Sequence, residues 1–145
     1  MNVKPIPEGF HTITPNTVID GAAKAIAFYK QAFGAEERMR LMMPGGTVAH
    51  AELQIGDSRL NLADPMDGWP PHTLLAQIYV ADSDAFFDRA VAAGAKVISP
   101  MADMFFGSRE GRIQDPFGNT WTISTRIADL SAEQMQQRIN ASAAG

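Results

Sequence analysis

At 145 residues, with 46% hydrophobic and 19% charged side chains, the chain has the size and composition of one folded domain rather than a disordered segment. It has no cysteine, which excludes disulfides, thiolate metal sites and a cysteine nucleophile, and its formal net charge of -4 with no basic stripe gives nucleic acid no electrostatic footprint. No apolar run approaches the ~20 residues of a membrane span, and Met1 to Phe10 lacks the apolar core of a signal peptide, so the expected location is the cytoplasm.

In chain order, the pattern predicts a strand over His11 to Thr14 and then a helix from about Gly21 to Phe33. Ala22, Ile26, Tyr29 and Phe33 make one helical stripe, Asp20 is the expected N-cap, and Gly34 is the expected stop. Strands follow at Arg38 to Met43, Val48 to Ile55 and Arg59 to Ala63, separated by the turns Pro44-Gly45-Gly46 and Gly56-Asp57. A Pro- and Gly-rich linker, Asp64 to Thr73, leads into a second round. That round reads as a strand at Leu74 to Val80, then a helix over Ser83 to Ala93 with Phe87, Ala90 and Val91 as its stripe. Asp82 or Ser83 caps this helix and Gly94 ends it, and strands follow at Lys96 to Ser99, Arg112 to Asp115 and Thr120 to Thr125. The tail is a short helix, about 131–140, opened by a Ser131/Gln134 capping box with Leu130 and Met135 at staple spacing. It reads either as a surface strap or as a dimer contact.

Both helices end in Gly-Ala, at Gly34-Ala35 and Gly94-Ala95, and both follow similar text, Val18-Ile19-Asp20 and Val80-Ala81-Asp82. An internal duplication is the simplest account. The expected fold is therefore α+β: one domain over residues 1–145, made of two tandem βαβββ modules at about 8–64 and 73–127. These are expected to form a curved mixed sheet with a cup-shaped pocket.

Strand alternation assigns the faces. Ala51, Leu53, Ile55, Leu60, Leu62, Ala76, Ile78, Val80, Trp121, Ile123 and Ile13 are expected under the helices. The opposite face then carries His50, Glu52, Gln54, Arg59, Asn61, Leu75, Gln77, Tyr79, Thr120, Thr122 and Ser124, with Thr12 and Thr14. These are short or neutral polar groups rather than the Lys and Glu of a plainly solvated face, which suits a pocket that hydrogen-bonds a ligand. His50, Glu52, Arg59, Asn61, Gln77, Tyr79 and Thr122 are the expected ligand contacts. Arg109, in a loop after Phe105 and Phe106, is expected at the rim. Those three residues read equally as a lip for an anionic or aromatic ligand, or as loop packing with Arg109 tied to a carboxylate such as Asp115. Trp69, between Gly68 and two prolines, either covers the cup or packs at an interface.

The segments Phe10-His11-Thr12-Ile13-Thr14-Pro15, Asp20 to Lys30 and Phe33-Gly34-Ala35 resemble the PhnB-like branch of the glyoxalase/bleomycin resistance/dioxygenase, or vicinal oxygen chelate, superfamily. So do His50-Ala51-Glu52-Leu53, Ile55-Gly56-Asp57-Ser58 and Arg89 to Ala95, and most specifically Phe105 to Arg112 running into Asp115 to Trp121. The resemblance implies the two-module fold, a homodimer and a small-molecule ligand, in a group that includes metal-dependent isomerases, lyases and dioxygenases as well as metal-free drug-binding proteins. The positions that hold metal in such relatives carry over to Thr14 (or Ile13), Asn61, Leu75 and Thr122, none of them His, Asp or Glu. No metal and no cofactor are therefore expected. His50 and Glu52 remain open to three readings: an oriented pocket histidine, an acid/base pair, or two ligands of an unorthodox metal site with His11 as a third. His72 is expected in solvent. The leading expectation is a metal-independent binding protein for a small organic molecule; the alternatives are an enzyme of lyase, isomerase or dioxygenase type, and a protein with an empty cup and a structural role.

Overall fold

A computed structural model describes residues 2–144. The chain divides after Leu74 into two compact units, residues 1–74 and 75–145. The first runs β1 (Asn16–Val18), α1 (Ala22–Phe33), β2 (Glu36–Met42), β3 (Val48–Ile55) and β4 (Ser58–Ala63). Its sheet has the order β1-β4-β3-β2, with β1 parallel to β4 and the other pairs antiparallel. The stripe of α1 is wholly buried, as is the facing set Ala51, Leu53, Leu60 and Leu62. Burial of this apolar surface is what holds an otherwise short helix in place.

Two details depart from expectation in this unit. Residues 11–14 are irregular and Ile13 is 84% exposed, so the first strand does not lie there. Pro15 has no N–H to give to a ladder. Pairing starts just beyond it, with the Pro15 carbonyl accepting from the Asn61 N–H at 3.0 Å and Asn16–Val18 in register with Asn61–Ala63. Thr17 takes the buried position assigned to Ile13, and its hydroxyl donates to the His72 carbonyl at 2.9 Å.

The second departure is the helix cap. Asp20 is exposed, and the N-cap is Gly21, at φ 92° and ψ 41°, a left-handed conformation that suits glycine. The N–H groups of Gly21 and Ala22 are satisfied from a distance instead. Both donate to Oδ1 of Asp64, at 2.9 and 3.1 Å, while Oδ2 accepts from the Val48 N–H at 2.7 Å. Burial of Asp64 works to raise its pKa, but these three N–H donors outweigh it and hold the carboxyl below the usual range.

The second unit runs β5 (Leu75–Tyr79), α2 (Ser83–Ala93), β6 (Lys96–Met104), β7 (Ser108–Gln114), β8 (Thr120–Arg126) and α3 (Ala132–Ala144). Its order is β5-β8-β7-β6, again with one parallel pair, β5 with β8. Here the cap is local: Asp82 accepts from the Ala85 N–H at 3.1 Å. Phe87 and Ala90 of α2 are buried with Ile113, Trp121 and Ile123, while Val91 is half-buried. Among the described residues strands pair only within a unit, so the expected curved sheet is two four-stranded mixed sheets.

The β6–β7 hairpin is longer than expected. Pro100 lies on the edge strand β6, where a register shift between Ser99 and Ala102 takes it up and lets pairing continue to Met104. Arg109 is consequently a strand residue, paired with Asp103 and Thr125, and not part of a loop. The capping box of α3 forms: the Ser131 N–H donates to Gln134 and the Gln134 N–H to the Ser131 hydroxyl. Arg138 ties α3 to the hairpin tip by donating to the Phe105 carbonyl at 2.6 Å. No helix among the described residues is long and apolar enough to cross a membrane.

Candidate ligand-binding site

In the first unit, alternation along β3 puts His50 and Glu52 on one face, and their side chains meet, with His50 Nε2 2.9 Å from Glu52 Oε2. A carboxylate only accepts, so the contact assigns the proton to Nε2 and leaves Nδ1 with a lone pair when the ring is neutral. Among the described residues Nδ1 has no hydrogen-bond partner. Asn61 lies directly across from Glu52, and its Oδ1 is buried without a partner. Arg59, the next outward residue of β4, stacks its guanidinium on the Phe10 ring at 4.8 Å. Its Nε is likewise buried and unpaired. Three of the expected contacts, His50, Glu52 and Asn61, are thus brought together with unsatisfied polar atoms beside them.

A cleft of about 270 Å³ opens next to this group. His50, Asn16, Val18 and Ala63 contribute to it from the strands, and Asp64, Met66 and Trp69 from the linker. The last three of these seven lie beyond the end of β4, where the sequence shows only turn-forming composition. Asn16 and Val18 are not among the expected contacts because the sequence pattern predicts the first strand over His11 to Thr14, ahead of β1.

In the second unit, Gln77 and Thr122 share a face, as expected, but each already has protein partners. Gln77 Nε2 donates to Ser124 Oγ at 3.0 Å, and Ser124 Oγ donates to Glu110 Oε2 at 2.9 Å. The Ser108 hydroxyl also points to Glu110, at 3.3 Å, and Arg112 Nε donates to Thr122 Oγ1 at 3.4 Å. Glu110 was missed because Gly107 and Gly111 made β7 read as loop as far as Arg112. Tyr79 is 65% exposed on the edge strand β5. Arg109 turns to the α2 side, where Asp84 takes Nε at 2.7 Å and Nη2 at 3.0 Å and Asp103 takes Nη1 at 3.0 Å. These bonds raise the guanidinium pKa further and lower that of Asp84. Arg109 is therefore tied to carboxylates, though not to Asp115, which accepts from the Trp121 indole and the backbone N–H groups of Phe117 and Asn119.

The donor set does not fit the metal of the metal-using relatives. Asn61, Leu75 and Thr122 offer an amide, an alkyl group and a hydroxyl, and the residue across from Asn61 on β1 is Asn16 rather than Thr14. No three His, Asp or Glu side chains among the described residues are grouped so that they could hold an ion. His11 and His72 are exposed, and the His72 backbone pairs with Val18.

Comparison with known proteins gives a consistent picture. The family model for the Glyoxalase/Bleomycin resistance protein/Dioxygenase superfamily matches residues 11–123. An uncharacterized protein of Mycobacterium bovis is 32% identical over 158 aligned positions, covering 100% of this chain and 99% of its own. Among solved structures, TioX from Micromonospora sp. ML1 superposes with a TM-score of 0.71 at 20% identity, over 81% of this chain and 99% of that one. A glyoxalase/bleomycin resistance protein/dioxygenase family enzyme from Burkholderia phytofirmans gives 0.65 at 20% identity, over 79% and 97%. At such identity the two structures speak for the fold alone.

Proposed function

The chain belongs to the glyoxalase/bleomycin resistance protein/dioxygenase superfamily, and on that footing we propose that it binds a small organic molecule, without a metal, at the His50–Glu52–Asn61 face of its first unit. The observation that carries this reading is His50 at the wall of a cleft, oriented by Glu52, with the Asn61 oxygen across from Glu52 buried and without a partner. A buried acceptor with no donor is costly unless something supplies one. The neutral residues at the metal-ligand positions support the metal-free form. The stretch Phe105 to Trp121 supports placement in the PhnB-like branch.

The test is a thermal-shift screen against metabolites and antibiotics, since a molecule selective for the native state raises apparent stability. Hits should stabilise the wild-type protein and lose most of their effect with His50→Ala. An absence of hits, or hits indifferent to His50, would overturn the reading in favour of a structural role. We also propose a homodimer, supported by exposed apolar side chains on outer strands, among them Leu41, Leu75 and Tyr79. Light scattering at micromolar concentration giving only the monomer mass would count against it.

A second reading draws on the same tautomer. A neutral His50 with its Nε2 proton held by Glu52 has a free Nδ1, the arrangement of a general base in an isomerase or lyase. A hit compound converted by the wild-type protein, but not by His50→Gln, would select this reading.

A further inference from the structure

We propose that Trp69 is the stacking wall of the first-unit cleft, and that the molecule taken there is a planar aromatic of one or two rings bearing a hydroxyl or N–H donor. This rests on the reading that the cleft binds a small molecule, and it names the class.

Trp69 is 60% exposed, unlike the chain's other tryptophan, Trp121, which is 4% exposed and hydrogen-bonded to Asp115. An indole left in water beside a cleft is apolar surface without a use in the core. It is not on a loose segment. Met66 and Trp69 exchange both backbone hydrogen bonds, at 3.1 and 2.8 Å, across the two-residue turn Asp67-Gly68, with Gly68 at φ 81°. Three residues on, His72 pairs with Val18 of β1, so both ends of the tip are fixed to the sheet.

The rest of the cleft selects for polarity. Both oxygens of Asp64 are occupied by backbone N–H groups, and the Thr17 hydroxyl is given to His72. Val18, Leu62, Ala63 and Met66 add apolar surface. Among the described residues, two side-chain acceptors of the lining have no partner: His50 Nδ1, for as long as the ring is neutral, and the Oδ1 of Asn16, whose amide N–H goes to the Thr14 carbonyl; both call for a donor on the ligand. A volume of about 270 Å³ lies at the small end of ligand pockets and limits the guest to about two fused rings.

The probes are 2-naphthol, 2-methoxynaphthalene, which keeps the rings and loses the donor, and decahydro-2-naphthol, which keeps the donor and loses planarity. Binding is followed by titration calorimetry and by the two indole N–H resonances, assigned with Trp69→Phe. The melting temperature of Trp69→Ala serves as the folding control, since an exposed side chain can be removed with little loss. The expected result is that 2-naphthol binds and shifts the Trp69 resonance but not that of Trp121. Each of the other two probes should bind about tenfold more weakly, and Trp69→Ala should weaken 2-naphthol by about tenfold while Trp69→Phe keeps most of the affinity. Equal binding of decahydro-2-naphthol, unchanged affinity in Trp69→Ala, or no binding of 2-naphthol would each overturn the inference. Hits from the thermal-shift screen that depend on His50 but not on Trp69 would leave the general binding reading standing without it.

Discussion

The two units share one architecture and wire it differently. In the first, the helix N-terminus is held by Asp64, more than forty residues away in sequence; in the second, by Asp82 next door. The outward faces differ in the same spirit. Glu110 in the second unit gathers Ser124, Ser108 and Gln77 around it. In the first unit Glu52 engages His50 and leaves Nδ1 and the Asn61 oxygen unmatched. Polar groups that bond to one another add rigidity, whereas buried polar atoms without a partner beside a cleft are where a ligand gains most. The duplicated fold thus preserves its core and lets the polar positions diverge, which is why membership of a family does not by itself name a reaction.

The contrast can be broken most strongly at the core. Leu53 is fully buried, and Leu53→Ala should cost about 2–5 kcal/mol by leaving a cavity. Ile78 in the second unit, expected in the core, is only half-buried. Ile78→Ala should cost clearly less in the same denaturant titration, and equal losses would show that the two sheets bury their inner faces alike.

Next in size is the remote cap. Asp64→Asn weakens three hydrogen bonds to a charged group and should cost roughly 1.5–3 kcal/mol at neutral pH. Because the folded pKa of Asp64 lies below its unfolded value near ~4, its contribution is complete above that value and is lost as the pH falls through the folded one. Stability measured against pH should therefore fall less steeply on the acid side in the variant. A parallel acid limb would show that Asp64 acts by shape alone.

A smaller effect separates the two acidic centres. Glu52→Gln should weaken a screened ligand by roughly tenfold, about 1.4 kcal/mol, by releasing the His50 tautomer, while Glu110→Gln should leave its affinity nearly unchanged. If Glu110→Gln weakens binding as much, the ligand reaches the second unit's face and the division of roles fails. The smallest expected change is Asp82→Ala, about 1 kcal/mol for a single local cap. Asp64→Asn should exceed it; the reverse order would place the stronger helix anchor in the second unit.

Much of this molecule was legible in the sequence because it depends on neighbours along the chain. Helical periodicity marked α1 and α2, two-residue alternation sorted Leu53 from His50, the i to i+2 spacing brought His50 and Glu52 together, and Ser131 with Gln134 announced α3. What only the tertiary structure decided concerns partners distant in sequence. Proline at position 15 moved the first strand and with it Asn16 into the cleft; a bulge at Ser99–Ala102 lets the hairpin run on to Met104, and regular alternation along the lengthened β7 puts Arg109 on the side of Ile113, toward Asp84. Asp64, Met66 and Trp69 are linker residues with no periodicity to read, and they meet β1 and β3 because a parallel β1–β4 pair brings the end of β4 beside the start of α1. Local pattern specifies elements and faces, while a site is made where chain ends and turns converge, and that convergence is a property of the whole packing.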